Sequence, residues 1–276
     1  MSELGTLIQR LDETSNPQTK CEIISKIGEL NNEQAIKVLI DILETSEEDK
    51  VKSYASRALA KIGGKEIVQA VINLLIKNKS WITRCKAAEI LGEIKDKTAI
   101  EPLIYSLKND KEARVREWVA ISLGKIRDKQ SIIPLIQTLK NDPHWAVRKE
   151  AANALGQIKE KGLINVLIKA YKKESDYRVQ WAAAAALAKL NGKKTQPLLH
   201  ELAQSLIEII SIEKDEMTIG AAARTLGEIG GKDAVQPLIS AMKLNKEWVR
   251  LEICLALERM AKRFGYKNKE QFIKAI

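Results

Sequence analysis

The strongest constraint on this chain is an internal repeat of about 32 residues. A segment of the form V-R-x-x-A-A-x-A-L-G-x-I recurs along the chain and is clearest at residues 115–126 and 147–158. Its glycine position falls at residues 28, 60, 92, 124, 156, 188, 227 and 258, so five successive steps are of 32 residues and the last two are of 39 and 31. Self-similarity at a fixed period in this range is the signature of a stacked repeat architecture.

Each repeat contains two segments with helical periodicity. In the glycine-containing segment at 147–158, apolar residues fall at i, i+4, i+7, i+8 and i+11, which is one face of a helix. The other segment is clearest at 99–110, where Pro102 falls in the first turn and is tolerated there. Gly63 and Gly230 are predicted to end helices in the left-handed conformation. One helix pair cannot bury its own apolar face, so the pairs must stack.

A two-helix unit of this length resembles a HEAT repeat, in particular the short HEAT-like subtype of phycobilin lyase subunits. HEAT repeats typically carry an Asp in the turn between the helices and an Arg six residues later. Asp110 with Arg116 and Asp142 with Arg148 have this spacing. The resemblance covers essentially the whole chain and implies an all-α fold, a right-handed α-solenoid of about eight two-helix repeats. It also implies a structural Asp–Arg ladder that satisfies turn carbonyls, and it says little about function because many binding roles use this architecture.

The repeat pattern predicts a single solenoid over residues 1–276. Residues 1–15 are expected to cap its first repeat, residues 16–264 to form the repeats, and residues 265–276 to form a closing polar helix. The 39-residue step indicates an insertion near residues 205–215, where we expect a lengthened first helix.

Composition excludes several other classes of protein. Apolar residues make up 45% and charged residues 30% of the chain, which is enough to form a core. No apolar run approaches the roughly 20 residues that span a bilayer, and the first 20 residues lack the apolar core of a signal peptide. Three cysteines without CxxC spacing fit free thiols in a reducing compartment, and two histidines are too few for a structural zinc site. We therefore expect a cytoplasmic protein with no metal and no cofactor.

The candidate binding face is formed by the second helix of each repeat, which lines the concave side of a HEAT-like stack. On each second helix, three positions are expected to point away from the core: the two residues after the ladder Arg and the residue three before the glycine position. Exposed apolar patches, and Trp in particular, mark interfaces with protein or peptide partners. The candidate partner-binding residues are Tyr54, Trp118, Ile121, Trp181, Ala185, Arg224 and Leu251. An aromatic column at the entry of the second helix is interpreted as packing between repeats: Trp81, Trp145, Tyr177 and Trp248.

Charge is distributed unevenly along the chain. The total is +10, but residues 1–50 carry a net charge of −6 and residues 51–200 a net charge of +15. Five residues after the glycine position, a lysine recurs in six repeats and forms a candidate basic edge: Lys65, Lys97, Lys129, Lys161, Lys193 and Lys232. These lysines either complement helix C-termini or form a rail for phosphates or an acidic partner.

The sequence contains no clear catalytic constellation. His144 and His200 lie in different kinds of segment and form no dyad with a nucleophile. HEAT-like deoxyhypusine hydroxylases bind iron through repeated His-Glu pairs, and only His200-Glu201 matches here. HEAT-like alkylpurine DNA glycosylases place a catalytic Asp in a basic cleft, and no candidate face position is Asp. Phosphate-loop and dinucleotide fingerprints are absent.

Three functions remain open at this point. The first is a non-enzymatic scaffold or adaptor that holds an acidic or mixed protein partner on its concave face. The second is nucleic-acid binding through the basic edge. The third is a bilin-lyase-like subunit or chaperone, for which no residue can be given a chemical role. No membrane partner is expected.

Overall fold

The structure is a computed structural model of the chain and describes residues 2–190, 196–212, 215–244 and 247–276. Every regular element in these residues is helical. The chain divides into two compact units, Met1–Ala154 and Leu155–Ile276. Each unit is built from alternating first and second helices of the repeats, as the two-segment period predicts.

The first unit begins with α1, and its second helices are the even-numbered ones. The helix that ends it, α10, continues into the second unit. The helices are α1 (Glu3–Glu13), α2 (Pro17–Glu29), α3 (Glu33–Thr45), α4 (Asp49–Ile62), α5 (Lys65–Lys77), α6 (Trp81–Ile94), α7 (Ile100–Asn109), α8 (Ala113–Ile126), α9 (Ile132–Asn141) and α10 (Trp145–Ile158).

The second unit contains three first helices, three second helices and a short terminal helix in its described residues. They are α11 (Ile164–Lys173), α12 (Tyr177–Leu190), α13 (Gln196–Ile212), α14 (Glu216–Ile229), α15 (Val235–Leu244), α16 (Glu247–Arg263) and α17 (Lys269–Lys274). At 17 residues, α13 is longer than α11 and α15, which have 10 each, and it lies at the 39-residue step of the sequence. In α17, Phe272 is buried and stacks on Phe264 with ring centroids 5.4 Å apart.

The recurring glycines allow neighbouring second helices to approach closely. A Cβ atom added at Gly92 in α6 would lie 2.8 Å from Cα and Cβ of Ser122 in α8. In the second unit, a Cβ at Gly227 would lie 2.9 Å from Cα of Ala256. Because such distances are shorter than carbon–carbon contact, a side chain at either position would push the two helices apart. The 32-residue period of glycine is therefore the period of helix stacking.

Several second helices end in a left-handed residue, but not always at the predicted one. Gly63 has φ 66°, as predicted. The prediction for Gly230 is wrong, because its φ is −63° and its ψ 146°, an extended conformation. Lys95, Arg127 and Lys159 each adopt φ 60° one residue after α6, α8 and α10. These side chains occupy a conformation that glycine adopts at lower cost.

Candidate functional site

The first predicted face position points into the stack instead of into solvent. Trp181 is only 5% exposed, and Cys21 and Cys85 in the same column are also buried. The reason is helical geometry, because this column lies seven residues before the glycine position and therefore on the same side of the helix. At Gly220 in this column, the covering group is the indole of Trp248, only 2.6 Å from where a Cβ would lie. The prediction that Trp181 faces solvent is wrong.

The exposed second-helix face is formed by the other two predicted columns, and in the first unit it is mostly polar. The guanidinium of Arg57 lies 5.5 Å from the ring centroid of Tyr54 on α4. On α6, Lys86 Nζ lies 3.0 Å from Glu89 Oε2. On α10, the amide of Asn153 donates to Glu150 Oε2 at 3.0 Å. These side chains are paired along their own helices.

Trp118 and Ile121 form an apolar pair on α8, between the polar pairs of α6 and α10. Both side chains are half-buried. They lie three residues apart, so they share one side of the helix. Beside them, Arg114 Nη1 lies 3.1 Å from Glu117 Oε2. An apolar spot inside a charged, solvent-accessible surface has the composition of an interface centre with a polar rim.

In the second unit the same two columns change character along the stack. Ala182 is buried and Ala185 half-buried, so α12 presents little side chain to solvent. On α14, the Arg224 guanidinium makes a two-point ion pair with Glu252 of α16, with its shorter N–O distance 2.6 Å. Leu251 is 59% exposed although its column is buried in α12 and α14. Exposed apolar surface in this unit is therefore concentrated at α16.

Two residues of the aromatic column contact the neighbouring repeat within the second unit. The ring of Tyr177 lies 4.6 Å from that of Trp181, and its hydroxyl lies 3.3 Å from Thr218 Oγ1 on α14. Trp248 Nε1 donates to Glu216 on α14 at 3.3 Å. These contacts confirm packing between repeats for Tyr177 and Trp248. Trp81 in the first unit is 44% exposed.

The ladder arginines link successive repeats of the first unit. Arg116 donates from Nε and Nη2 to the carboxylate of Asp142 at 2.7 and 3.0 Å, and from Nη1 to the carbonyls of Asp110 and Lys111. Arg84 repeats this arrangement with the carboxylate of Asp110. The hydrogen bond to the carboxylate raises the pKa of each guanidinium. These charges are satisfied inside the protein and are not available to a partner.

The ladder extends by one half-rung on each side. Arg148 Nη1 donates to the carbonyl of Asp142 at 2.9 Å. At the equivalent position in α4, Lys52 is buried and its Nζ donates to Leu43 O at 2.5 Å and to Thr83 Oγ1 at 2.9 Å. Burial lowers the pKa of Lys52. Sequence reasoning missed this contact, although Thr83 in a column of valines was a signal for it.

The lysines of the candidate basic edge begin the next first helix or the 3₁₀ turn before it. Lys65 begins α5, and Lys97, Lys129, Lys161 and Lys232 begin four 3₁₀ turns. Lys193 lies outside the described residues. The interpretation that these lysines complement helix C-termini is therefore wrong, because the cations directly after the helices are Lys95, Arg127 and Lys159.

Carboxylates lie close to this edge. Lys97 Nζ lies 3.4 Å from Asp128 Oδ2, and Lys65 lowers the pKa of Asp96 after the larger effect of its hydrogen bonds from Thr98. Lys232 Nζ lies 5.9 Å from the ring centroid of Tyr266. The edge is thus a row of mixed charges in which acidic N-caps alternate with lysines.

Chemical groups for catalysis are sparse in the described part of the chain. No group of three or more His, Cys, Asp or Glu side chains could hold a metal ion there. Burial raises the pKa of the Cys85 thiol to about 12, so it is not a thiolate nucleophile at neutral pH. His144 is exposed and its Nδ1 accepts the Ala146 N–H at 3.3 Å. Among the described helices, none is long and apolar enough to cross a membrane.

The family model for HEAT repeats matches residues 4–75, 68–139, 132–205 and 203–270. The chain belongs to the HEAT-repeat family. No curated protein sequence matches it. It is similar in structure to the complex of CpcE and CpcF of phycocyanin lyase from Nostoc, with TM-score 0.60, 23% identity, and coverage of 87% of this chain and 92% of that chain.

Larger HEAT-repeat structures are also similar. The Kap95:Nup1 complex gives TM-score 0.57 and 15% identity, with 99% of this chain and 44% of that chain covered. The Escherichia coli protein YibA gives TM-score 0.52 and 17% identity, with 95% and 93% covered. At these identities the similarity shows an α-solenoid fold. Two of the three relatives are complexes of a HEAT-repeat solenoid with a protein partner.

Proposed function

We propose that this HEAT-repeat protein is a non-enzymatic scaffold or adaptor that holds an acidic or mixed protein partner on the concave face of its solenoid. The observation that carries the proposal is the Trp118–Ile121 pair, which is apolar on a face whose neighbouring side chains form ion pairs. Trp contributes more binding energy at interfaces than most residues do. The surrounding pairs on α6 and α10 would form the polar rim that excludes water from it.

The charge of the chain supports an acidic partner. Residues 51–200 carry a net charge of +15, and this long-range field would speed association with a negatively charged protein. Arg84 and Arg116 contribute to this field but are held by ladder carboxylates, so contact specificity falls to Trp118, Ile121 and Tyr54. Trp181 has no part in the proposed contact because it is buried.

The test is a matched pair of tryptophan substitutions in the full chain. Trp118→Ala combined with Ile121→Ala should remove the partner that wild-type protein retains from an extract of its source. Trp81→Ala is the control, since Trp81 is more exposed but lies in the aromatic column at the entry of α6. Circular dichroism and the melting temperature report whether each variant folds. Retention of the same partner by the double variant would refute the proposal.

Nucleic-acid binding is the alternative outcome of the same experiment. A labelled DNA or RNA probe that binds with a steep log–log dependence on salt concentration would favour it. The alternation of carboxylates and lysines along the basic edge argues against a continuous phosphate track. Equal binding by wild type and by the Trp118 and Ile121 variant, together with a steep salt dependence, would replace the scaffold proposal.

A further inference from the structure

The terminal second helix, α16, leaves two leucines of one helix side in solvent. Leu251 is 59% exposed and Leu255 is 43% exposed. They lie four residues apart and therefore adjacent on the helix surface. Lone exposed leucines are common, but a neighbouring pair on a helix side that is buried elsewhere in the same chain requires an explanation.

Earlier repeats show what covers this side. Gly220 is the equivalent of Leu251 in α14, and it lies beneath the Trp248 indole of α16. Gly227 in α14 lies against Ala256 of α16. Each second helix therefore covers the end face of the one before it, and the end face of α16 is the surface on which a further second helix would pack.

The terminal helix α17 covers only part of this end face. Lys269 Nζ lies 4.0 Å from Glu258, the equivalent of Gly227, and Phe272 is buried with Phe264 and Tyr266 near the C-terminal end of α16. Leu251 lies two helical turns before Glu258. The N-terminal half of the end face, with Leu251 and Leu255, is left open.

The charge around the open half selects an acidic occupant. Residues 247–276 carry seven basic and four acidic side chains, a net charge of +3. Three of the four carboxylates are paired with cations, Glu252 with Arg224 and both Glu258 and Glu270 with Lys269. Lys262, Lys267 and Lys274 are exposed. Two such ends would repel each other, which disfavours a second copy in tail-to-tail contact.

The opposite end of the chain does not fit the open surface either. Ala58, Ser122 and Ala256 are the small residues that pack against the glycine of the preceding second helix. The equivalent residue of α2 is Lys26, which is exposed. A lysine at this position would place a charge against the leucines of α16, so head-to-tail stacking of two copies is also disfavoured.

We propose that the open half of the α16 end face binds an acidic amphipathic helix of another protein, which packs over Leu251 and Leu255 as a further second helix would. The helix presents small apolar residues to the leucines and carboxylates to the exposed lysines near α17. This surface is separate from the Trp118 face, which lies in the other unit, and each can fail without the other.

The test places a photo-crosslinking residue, p-benzoylphenylalanine, at position 251 or 255 of the full chain. Position 133 on α9 is the control, since Ile133 is 68% exposed but belongs to a first helix. Irradiation in an extract of the source should join the same protein to positions 251 and 255 and not to 133. Mass spectrometry should map the crosslink to a segment with helical apolar periodicity and a negative net charge.

A synthetic peptide of the mapped segment then measures binding to the purified full chain. Leu251→Lys with Leu255→Lys should weaken binding at least about tenfold, and Ile133→Lys should leave it unchanged. The single variant Leu255→Lys is a second test if the double variant loses helicity. Crosslinks between two copies of the chain, to a basic or non-helical segment, or to nothing beyond the control would each overturn the proposal, as would peptide binding that ignores the lysine substitutions.

Discussion

Arg116 and Asp142 lie 26 residues apart and form a two-point ion pair that joins two successive repeats. The same guanidinium also donates to two carbonyls of the turn before its own helix. The Asp142 carboxylate in turn accepts the His144 N–H at 2.9 Å, so one pair fixes two turns at once. Their side chains are 12% and 7% exposed, so water screens the pair weakly.

Substitution Asp142→Ala should lower the free energy of unfolding by about 2–4 kcal/mol, because it leaves a partly buried guanidinium without its carboxylate. Urea denaturation measures the change. Arg116→Ala and the double variant complete a thermodynamic cycle, and we expect a coupling energy of about 1–3 kcal/mol between the two residues. Additive effects of the two substitutions would show that the pair contributes no stability of its own.

The glycine column gives a second prediction, with an internal control. Gly92→Ala should destabilise the protein by about 1–3 kcal/mol, because the new methyl group would overlap Ser122 and separate α6 from α8. The loss should appear although alanine has the higher helix propensity. Gly162→Ala is the control, since nothing lies within 4 Å of a Cβ there and its backbone is not left-handed.

We expect Gly162→Ala to be neutral or to raise stability by about 0.4–1 kcal/mol, because alanine restricts the unfolded chain more than glycine does. Thermal melts of the two variants beside wild type provide the comparison. Equal melting temperatures for both variants would mean that the glycine period does not arise from helix contact.

The period of the sequence was sufficient to predict the fold but not the side of each helix that faces solvent. The all-helical repeat architecture follows from the spacing of glycine and apolar positions, since each repeat must bury one face on the next. The error at Trp181 came from assigning its column to solvent. Seven residues separate it from the glycine position at 188, and two helical turns return a side chain to the same face. The burial of Trp181 could therefore have been predicted.

Other features of the site could not be predicted because they depend on three-dimensional neighbours. Leu251 has the same sequence position as Trp181, and it is exposed only because no second helix follows α16. Lysines of the basic edge recur at a fixed position, yet their distance from Asp96 and Asp128 depends on the stacking of repeats. Net charge was read correctly from the sequence, but its local compensation by carboxylates was not.

The two tryptophans of the original candidate site are predicted to respond differently to truncation. Trp181→Ala should lower the free energy of unfolding by about 3–5 kcal/mol, because it leaves a cavity beside Tyr177 in a buried site. Trp118→Ala should cost about 1–2 kcal/mol, because its half-buried ring gives up less buried area. Chemical denaturation of both variants measures the difference. A larger loss for Trp118 than for Trp181 would contradict the burial described above.

The left-handed residues that follow α6, α8 and α10 give the last prediction. Lys95 has φ 60° and is exposed, so its conformation costs about 1–2 kcal/mol that glycine would not incur. The protein with Lys95→Gly should therefore be more stable than the one with Lys95→Ala by about 1 kcal/mol. Gln69 is the control, because it is exposed in the middle of α5, where glycine should be about 1 kcal/mol less stable than alanine. Opposite signs of the glycine–alanine difference at the two positions, measured by urea denaturation, are the expected result. The same sign at both would show that the chain after α6 does not hold Lys95 in the left-handed region in solution.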